Sequence, residues 1–193
     1  PRLSSAASDV YKRQNMPITL GCIADDFTGA TDLANMLVKG GLKTIQLLGT
    51  PSKNDVVPSV DAVIIALKTR TIPVEDAIEQ SLQAMNWLKN AGAKQFFFKY
   101  CSTFDSTDEG NIGPVIDALM AGLETQFTIA CPAFPETERT IFKGHLFVGD
   151  KLLSDSPMKD HPLTPMTDSN LVSTLSRQTV SYTHLRAHET LGN

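Results

Sequence analysis

Two adjacent carboxylates, Asp25 and Asp26, run directly into Phe27, Thr28 and Gly29. An apolar run over residues 18–23 precedes them and an apolar helical pattern follows, so the acids stand where a strand hands over to a helix. In α/β sheets that edge is where ligands bind. Gly29 permits a tight turn and a close backbone approach, and the helix opening there offers free N–H groups and a positive dipole end to an anion. Asp25 and Asp26 are suited to gripping hydroxyls or accepting a proton. A competing reading makes one of them the N-cap of the helix; a cap needs one acid, and here there are two.

Further polar clusters fall directly after strand-like runs: Lys68, Thr69 and Arg70; then Lys99, Ser102 and Asp105; then Arg139. In a parallel sheet all strand C-termini share one edge, so these groups are expected to converge on one crevice with Asp25, Asp26 and Thr28. Arg favours bidentate contact with a planar anion, which makes Arg70 and Arg139 the better carboxylate partners. Each residue also has a plain reading. Lys68 and Lys99 can be solvated loop charges, Asp105 to Gly110 a turn and a cap, and His145 a packed strand residue. No Gly-x-x-x-x-Gly-Lys-Ser/Thr loop and no Gly-x-Gly-x-x-Gly fingerprint occurs, so no nucleotide site of its own is recognisable.

The elements that must position these groups read as a Rossmann-like α/β fold: a mostly parallel sheet with helices on both faces and a short β-hairpin extension. Strands are expected at 18–24, 44–48, 61–67, 95–98 and 127–130, with helices at 29–39, 73–90, 113–121 and 169–177. Gly40-Gly41 ends the first helix, Pro73 opens the second and Gly92 lies beyond its end. A hairpin is expected over 139–142 and 145–148, turning at Lys143-Gly144.

The chain of 193 residues is 41% hydrophobic and 20% charged with a net charge of −4, which suits a globular core and supplies no basic stripe for nucleic acid or an anionic membrane. Its three cysteines, Cys22, Cys101 and Cys131, form no Cys-x-x-Cys pair, so a reduced, cytoplasmic setting fits best; Cys22 and Cys131 read as core. No window approaches eighteen consecutive apolar residues and no apolar leader stands at the front. Residues 1–14 and 181–193 show no strand or helix period and resemble translated adaptor sequence, so the folded domain is expected to span 15–180. His184 and His188 go with the tail; their spacing lacks both an adjacent Glu and a third ligand, so no metal site is expected.

Four motifs in order resemble the N-terminal domain of the four-carbon acid sugar kinases: residues 22–32, residues 98–107 with 110–114, residues 131–135, and residues 144–148. Residues 100–107 and 161–171 look closest to the 3-oxo-tetronate branch, and the likeness runs from about residue 20 to 179. The resemblance implies ATP-dependent phosphorylation of the terminal hydroxyl of a four-carbon sugar acid. It also implies that this N-terminal domain holds the acid, that a following domain binds ATP with Mg2+, and that the chain is truncated before that second domain. A homo-oligomer is left open.

By the same resemblance, Asp25, Asp26 and Thr28 match the first substrate motif and Lys99, Ser102 and Asp105 the second, with Arg70 following the third strand. Arg139 matches the Arg of a Gly-Arg-Thr motif in which Glu138 replaces Gly, and Glu109 stands where relatives outside the branch carry Arg. Asp26 is the expected catalytic base, and ATP with Mg2+ supplies the phosphoryl group. Two rival readings are a sugar-acid-binding module without turnover and an acidic-cluster phosphatase or phosphoacceptor domain. The latter lacks an Asp-x-Asp spacing, and Leu67-Lys68 stands where a receiver domain needs Asp.

Overall fold

A computed structural model describes residues 18–52, 55, 58–104 and 107–179. The two terminal segments set aside above, with His184 and His188, and the candidate ligand Asp105 lie outside these residues. The chain divides into two compact units, one from residues 1–68 with 79–99 and one from residues 69–78 with 100–193.

The first unit is a parallel sheet of β1 (Leu20–Ala24), β2 (Thr44–Leu48), β3 (Ala62–Ala66) and β4 (Gln95–Lys99) in the order β2-β3-β1-β4. Helix α1 (Phe27–Lys39) follows β1, and α2 (Val74–Asn90) precedes β4, contributing its residues from Glu79 onward to this unit. β3 lies between two strands and reads Ala-Val-Ile-Ile-Ala, buried throughout, as an inner parallel strand requires. On one face Cys22, Ala24, Ile64 and Ala66 pack with Ala30, Leu33, Ala34 and Leu37 of α1. Gly21 points the other way by the two-residue strand period; a Cβ there would come 3.0 Å from Ala93 Cβ and 3.2 Å from Leu88 Cβ at the end of α2. The two helices therefore cover opposite faces.

The second unit holds α3 (Ile112–Gly122), α4 (Leu171–Gln178) and an antiparallel sheet of β5 (Arg139–Phe142), β6 (His145–Val148) and β7 (Lys151–Leu152). The expected hairpin is thus two strands of a three-stranded sheet. Phe142 pairs with His145 across Lys143 (φ 50°) and Gly144 (φ 77°), a two-residue turn with both central residues left-handed. Helices α3 and α4 approach so closely that a Cβ on Gly113 would lie 2.6 Å from Gln178 Cβ. Gln178 uses that proximity: its Oε1 accepts from the Gly113 amide at 3.0 Å and its Nε2 donates to the Thr107 carbonyl at 2.7 Å.

Two expectations fail. Residues 127–130 form no strand, and Phe127 and Ile129 are 75% and 77% exposed. An apolar alternation becomes a strand only where a neighbour supplies a ladder, and among the described residues no strand pairs with this one, so the parallel sheet has four strands rather than five. Cys131, at the end of the same run, is accordingly exposed rather than core. Boundaries shift less: α1 starts at Phe27, β4 extends to Lys99 and α4 starts after Asn170, which caps it.

Candidate functional site

In the first unit the ladder continues one step past the strands. Leu67 N–H donates to the Ala24 carbonyl at 2.9 Å and Asp25 N–H to the Lys99 carbonyl at 3.0 Å. Asp25, Lys68 and Lys99 are thereby held at one sheet edge, the C-terminal one. Asp25 is buried, and Asp26 adopts an extended conformation that turns the chain into α1.

Asp26 is the N-cap. Its Oδ1 accepts from the Gly29 amide at 2.8 Å, and its carbonyl accepts from Ala30 N–H at 3.1 Å. Capping and ligand contact, weighed as rivals on the sequence, are compatible on a carboxylate with two oxygens and about four lone-pair sites. Thr28 is exposed on the first turn. Lys99 lies against that turn, because a Cβ on Gly29 would be 3.4 Å from Lys99 Nζ, 3.6 Å from Lys99 Cγ and 2.6 Å from Asp26 Oδ1. Glycine is what leaves room for the carboxylate beside the helix end, with the ammonium at contact distance. Lys68 is steered to the same turn, its Nζ 4.9 Å above the centre of the Phe27 ring. Two cations and the α1 dipole here favour an anionic ligand, and two carboxylates offer hydroxyl acceptors.

The remaining candidates belong to the second unit. Arg70 sits in a loop whose backbone is tied to Asn111: the Asn111 Nδ2 donates to the Thr69 carbonyl at 2.8 Å and to the Ile72 carbonyl at 2.9 Å. Ser102 is half-buried in a turn that ends at Phe104, whose φ of 64° is left-handed although its side chain is bulky and buried. The Phe104 ring stands edge-on to Tyr100, centroids 5.5 Å apart, which helps to hold that conformation. Arg139 starts β5, its Nη1 donating to the Thr137 carbonyl, while its Nε is buried with no hydrogen-bond partner. Glu138 before it adopts φ 59°, ψ 28°, the backbone shape that the Gly of the Gly-Arg-Thr motif would take without strain.

Asp25, Asp26, Thr28 and Lys99 are thus brought together on the first unit; Arg70, Ser102 and Arg139 are carried by the second. Of the thiols, Cys22 is pushed up to about 12 by burial, so it is neither a nucleophile nor a proton carrier at neutral pH. Burial likewise raises Tyr100 above the ordinary phenol range. Sequence reasoning missed two supports. Both stand inside the motifs given above, but only Phe27 had a local signal for its role, a large ring on the polar first turn of a helix; the loop that Asn111 holds lies about forty residues away.

Residues 20–193 match the family model described as a sugar-binding N-terminal domain. The chain belongs to this family. A Burkholderia multivorans member named 3-oxo-tetronate kinase is 62% identical over 172 residues, covering 89% of this chain and 40% of that protein. Among solved structures, a Haemophilus influenzae protein of family DUF1537 matches with a TM-score of 0.79 at 57% identity, over 83% of this chain and 39% of that one. A Bordetella bronchiseptica DUF1537 domain, a domain-swapped dimer with bound citrate, matches with a TM-score of 0.73 at 28% identity, over 83% and 41%. This sugar-binding domain spans about two fifths of the length of the relatives it matches. Among its described residues no helix is long and apolar enough to cross a membrane.

Proposed function

We propose that this chain is the acid-binding part of a cytoplasmic ATP-dependent kinase that phosphorylates the terminal hydroxyl of a four-carbon sugar acid, converting 3-oxo-tetronate to its 4-phosphate. What carries the reading is the Asp25-to-Gly29 turn with Lys99 laid against it, in a chain 62% identical to a protein bearing that activity as its name. Citrate in the Bordetella relative supports a small carboxylic acid as ligand.

In this proposal Arg70 and Arg139 take the substrate carboxylate through paired N–H donors; the buried, unpartnered Nε of Arg139 supports that role. Asp25, Thr28, Ser102 and Asp105 orient hydroxyls, and Lys99 balances charge beside the α1 N-terminus. Asp26 accepts the proton of the attacking hydroxyl, a role contributing about 10²- to 10⁴-fold in rate. When bound, ATP with Mg2+ supplies the phosphoryl group. ATP and Mg2+ are assigned to the part of the relatives beyond this chain's span, the chain covering 40% of the Burkholderia protein.

Calorimetric titration of the chain with 3-oxo-tetronate, with and without ATP and Mg2+, tests the reading. Binding of the acid without turnover is expected. Phosphate transfer by the chain alone would overturn the assignment of ATP elsewhere, and failure to bind any four-carbon acid would overturn the substrate.

A further inference from the structure

Asn111 stands at the N-cap of α3, where an Asn side chain ordinarily accepts a hydrogen bond from the first turn; here it makes no such bond. Gln178 of α4 serves that turn instead, through the Gly113 amide. The Asn111 amide is turned away, and its Nδ2 reaches the carbonyls of Thr69 and Ile72 at 2.8 and 2.9 Å, with the Arg70 carbonyl at 3.4 Å between them. Asn111 is 8% exposed and Thr69 1%, so neither bond is traded cheaply for water. Two donors on one planar amide thus bracket a four-residue loop with Arg70 inside it. Asp at this position would offer only acceptors to carbonyls, and Leu would offer nothing.

We infer that Asn111 is a positioning residue for acid recognition: it holds the Thr69-to-Ile72 backbone in the one shape that presents the Arg70 guanidinium to the substrate carboxylate. The inference rests on the reading of Arg70 given under the proposed function. It sets Asn111 apart from a residue that merely stabilises α3, because loss of the clamp should alter preference for a charged ligand rather than affinity for every ligand.

The experiment compares sodium L-threonate with threitol, its neutral counterpart, by calorimetric titration of the whole chain. The native protein and the variant Arg70→Met are measured beside Asn111→Leu. The native chain is expected to favour threonate; Arg70→Met abolishes that preference, and Asn111→Leu weakens threonate about tenfold, the order of one lost charge-assisted contact, while threitol binding holds. Should Asn111→Leu fail to fold, the isosteric Asn111→Asp is read in the same way. If Arg70→Met erases the preference but the Asn111 variants keep it, the inference is overturned and the Arg70 reading stands. If Arg70→Met leaves the preference intact, the Arg70 reading fails and the inference falls with it.

Discussion

The Gly29 amide and the Asp26 carboxylate form a hydrogen bond of 2.8 Å, closing the first turn of α1 with the acid that the proposed mechanism uses as a base. Substitution can separate the two jobs. Asn caps a helix about as well as Asp, so Asp26→Asn is expected to unfold within about 0.5 kcal/mol of the native chain, whereas Asp26→Ala loses about 1 kcal/mol. Threonate binding should weaken alike in both, because both lose the anionic acceptor offered to a ligand hydroxyl. Native-like affinity in Asp26→Asn would show that the bound acid does not use the Asp26 charge; urea denaturation and titration on the same samples decide.

Gly29→Ala sets two effects of similar size against each other. Ala is favoured over Gly in a helix by about 1 kcal/mol, but the added Cβ would lie 2.6 Å from Asp26 Oδ1. The clashing atom is the far end of a short side chain, so it swings aside at the cost of the cap, also about 1 kcal/mol. Stability is expected to stay near native while threonate affinity falls, since the Asp26 carboxylate is displaced. Unchanged affinity would show that the ligand does not use this cradle.

Glu138 stands in the left-handed region at φ 59° immediately before Arg139. An L-residue there sacrifices about 1 kcal/mol that Gly does not. Glu138→Gly is therefore expected to be more stable than Glu138→Ala by about that amount in chemical denaturation. Equal stabilities would mean that the chain relaxes out of this conformation before Arg139. The same residue shows how far a motif can be read: the substitution of Gly was visible, but that the backbone keeps the glycine shape was not.

Local chemistry made the first unit legible. Asp26 caps, Gly40 closes α1, and the uniformly apolar β3 announces an inner strand, each through bonds within a few residues or a simple period. Residues 127–130 misled because alternation describes what a strand requires of its surroundings without saying whether a partner exists. The same limit hid the site's supports. Asn111 holds a loop forty residues upstream and Gln178 caps α3 from sixty-five residues downstream. Neither has its partner marked in its own neighbourhood, although Asn111 stands in a motif, because side-chain bonds of such span are set by packing alone. The convergence of Asp25, Asp26, Thr28 and Lys99, by contrast, follows from one rule, that parallel strands end on one side.

The last of these long-range supports is electrostatic and answers to pH. Asp168 takes the Asn170 amide on Oδ1 at 2.8 Å and the Arg177 guanidinium on Oδ2 at 2.8 Å, while Arg177 also pairs with Asp108. Burial opposes the charged form of Asp168, but the Asn170 N–H, Arg177 and, least of the three, His145 outweigh it and hold the carboxyl below its ordinary range. A group whose folded pKa is depressed stabilises the fold above its unfolded pKa, about 3.9 for Asp, and loses that contribution as pH falls through the folded value. Asp168→Asn keeps an acceptor for Asn170 and removes only the charge. The native chain should thus exceed Asp168→Asn in stability from pH 7 to 5, under about 1 kcal/mol for so exposed a pair, with the margin closing below about pH 4 and shrinking in 1 M salt. A margin that survives acid would place the contribution elsewhere. Because Arg177 directly precedes Gln178, loosening α4 also loosens the cap on α3, and with it the Asn111 clamp on the Arg70 loop. Threonate affinity should therefore decline in Asp168→Asn by less than in Asn111→Leu, an ordering that titration at pH 7 checks.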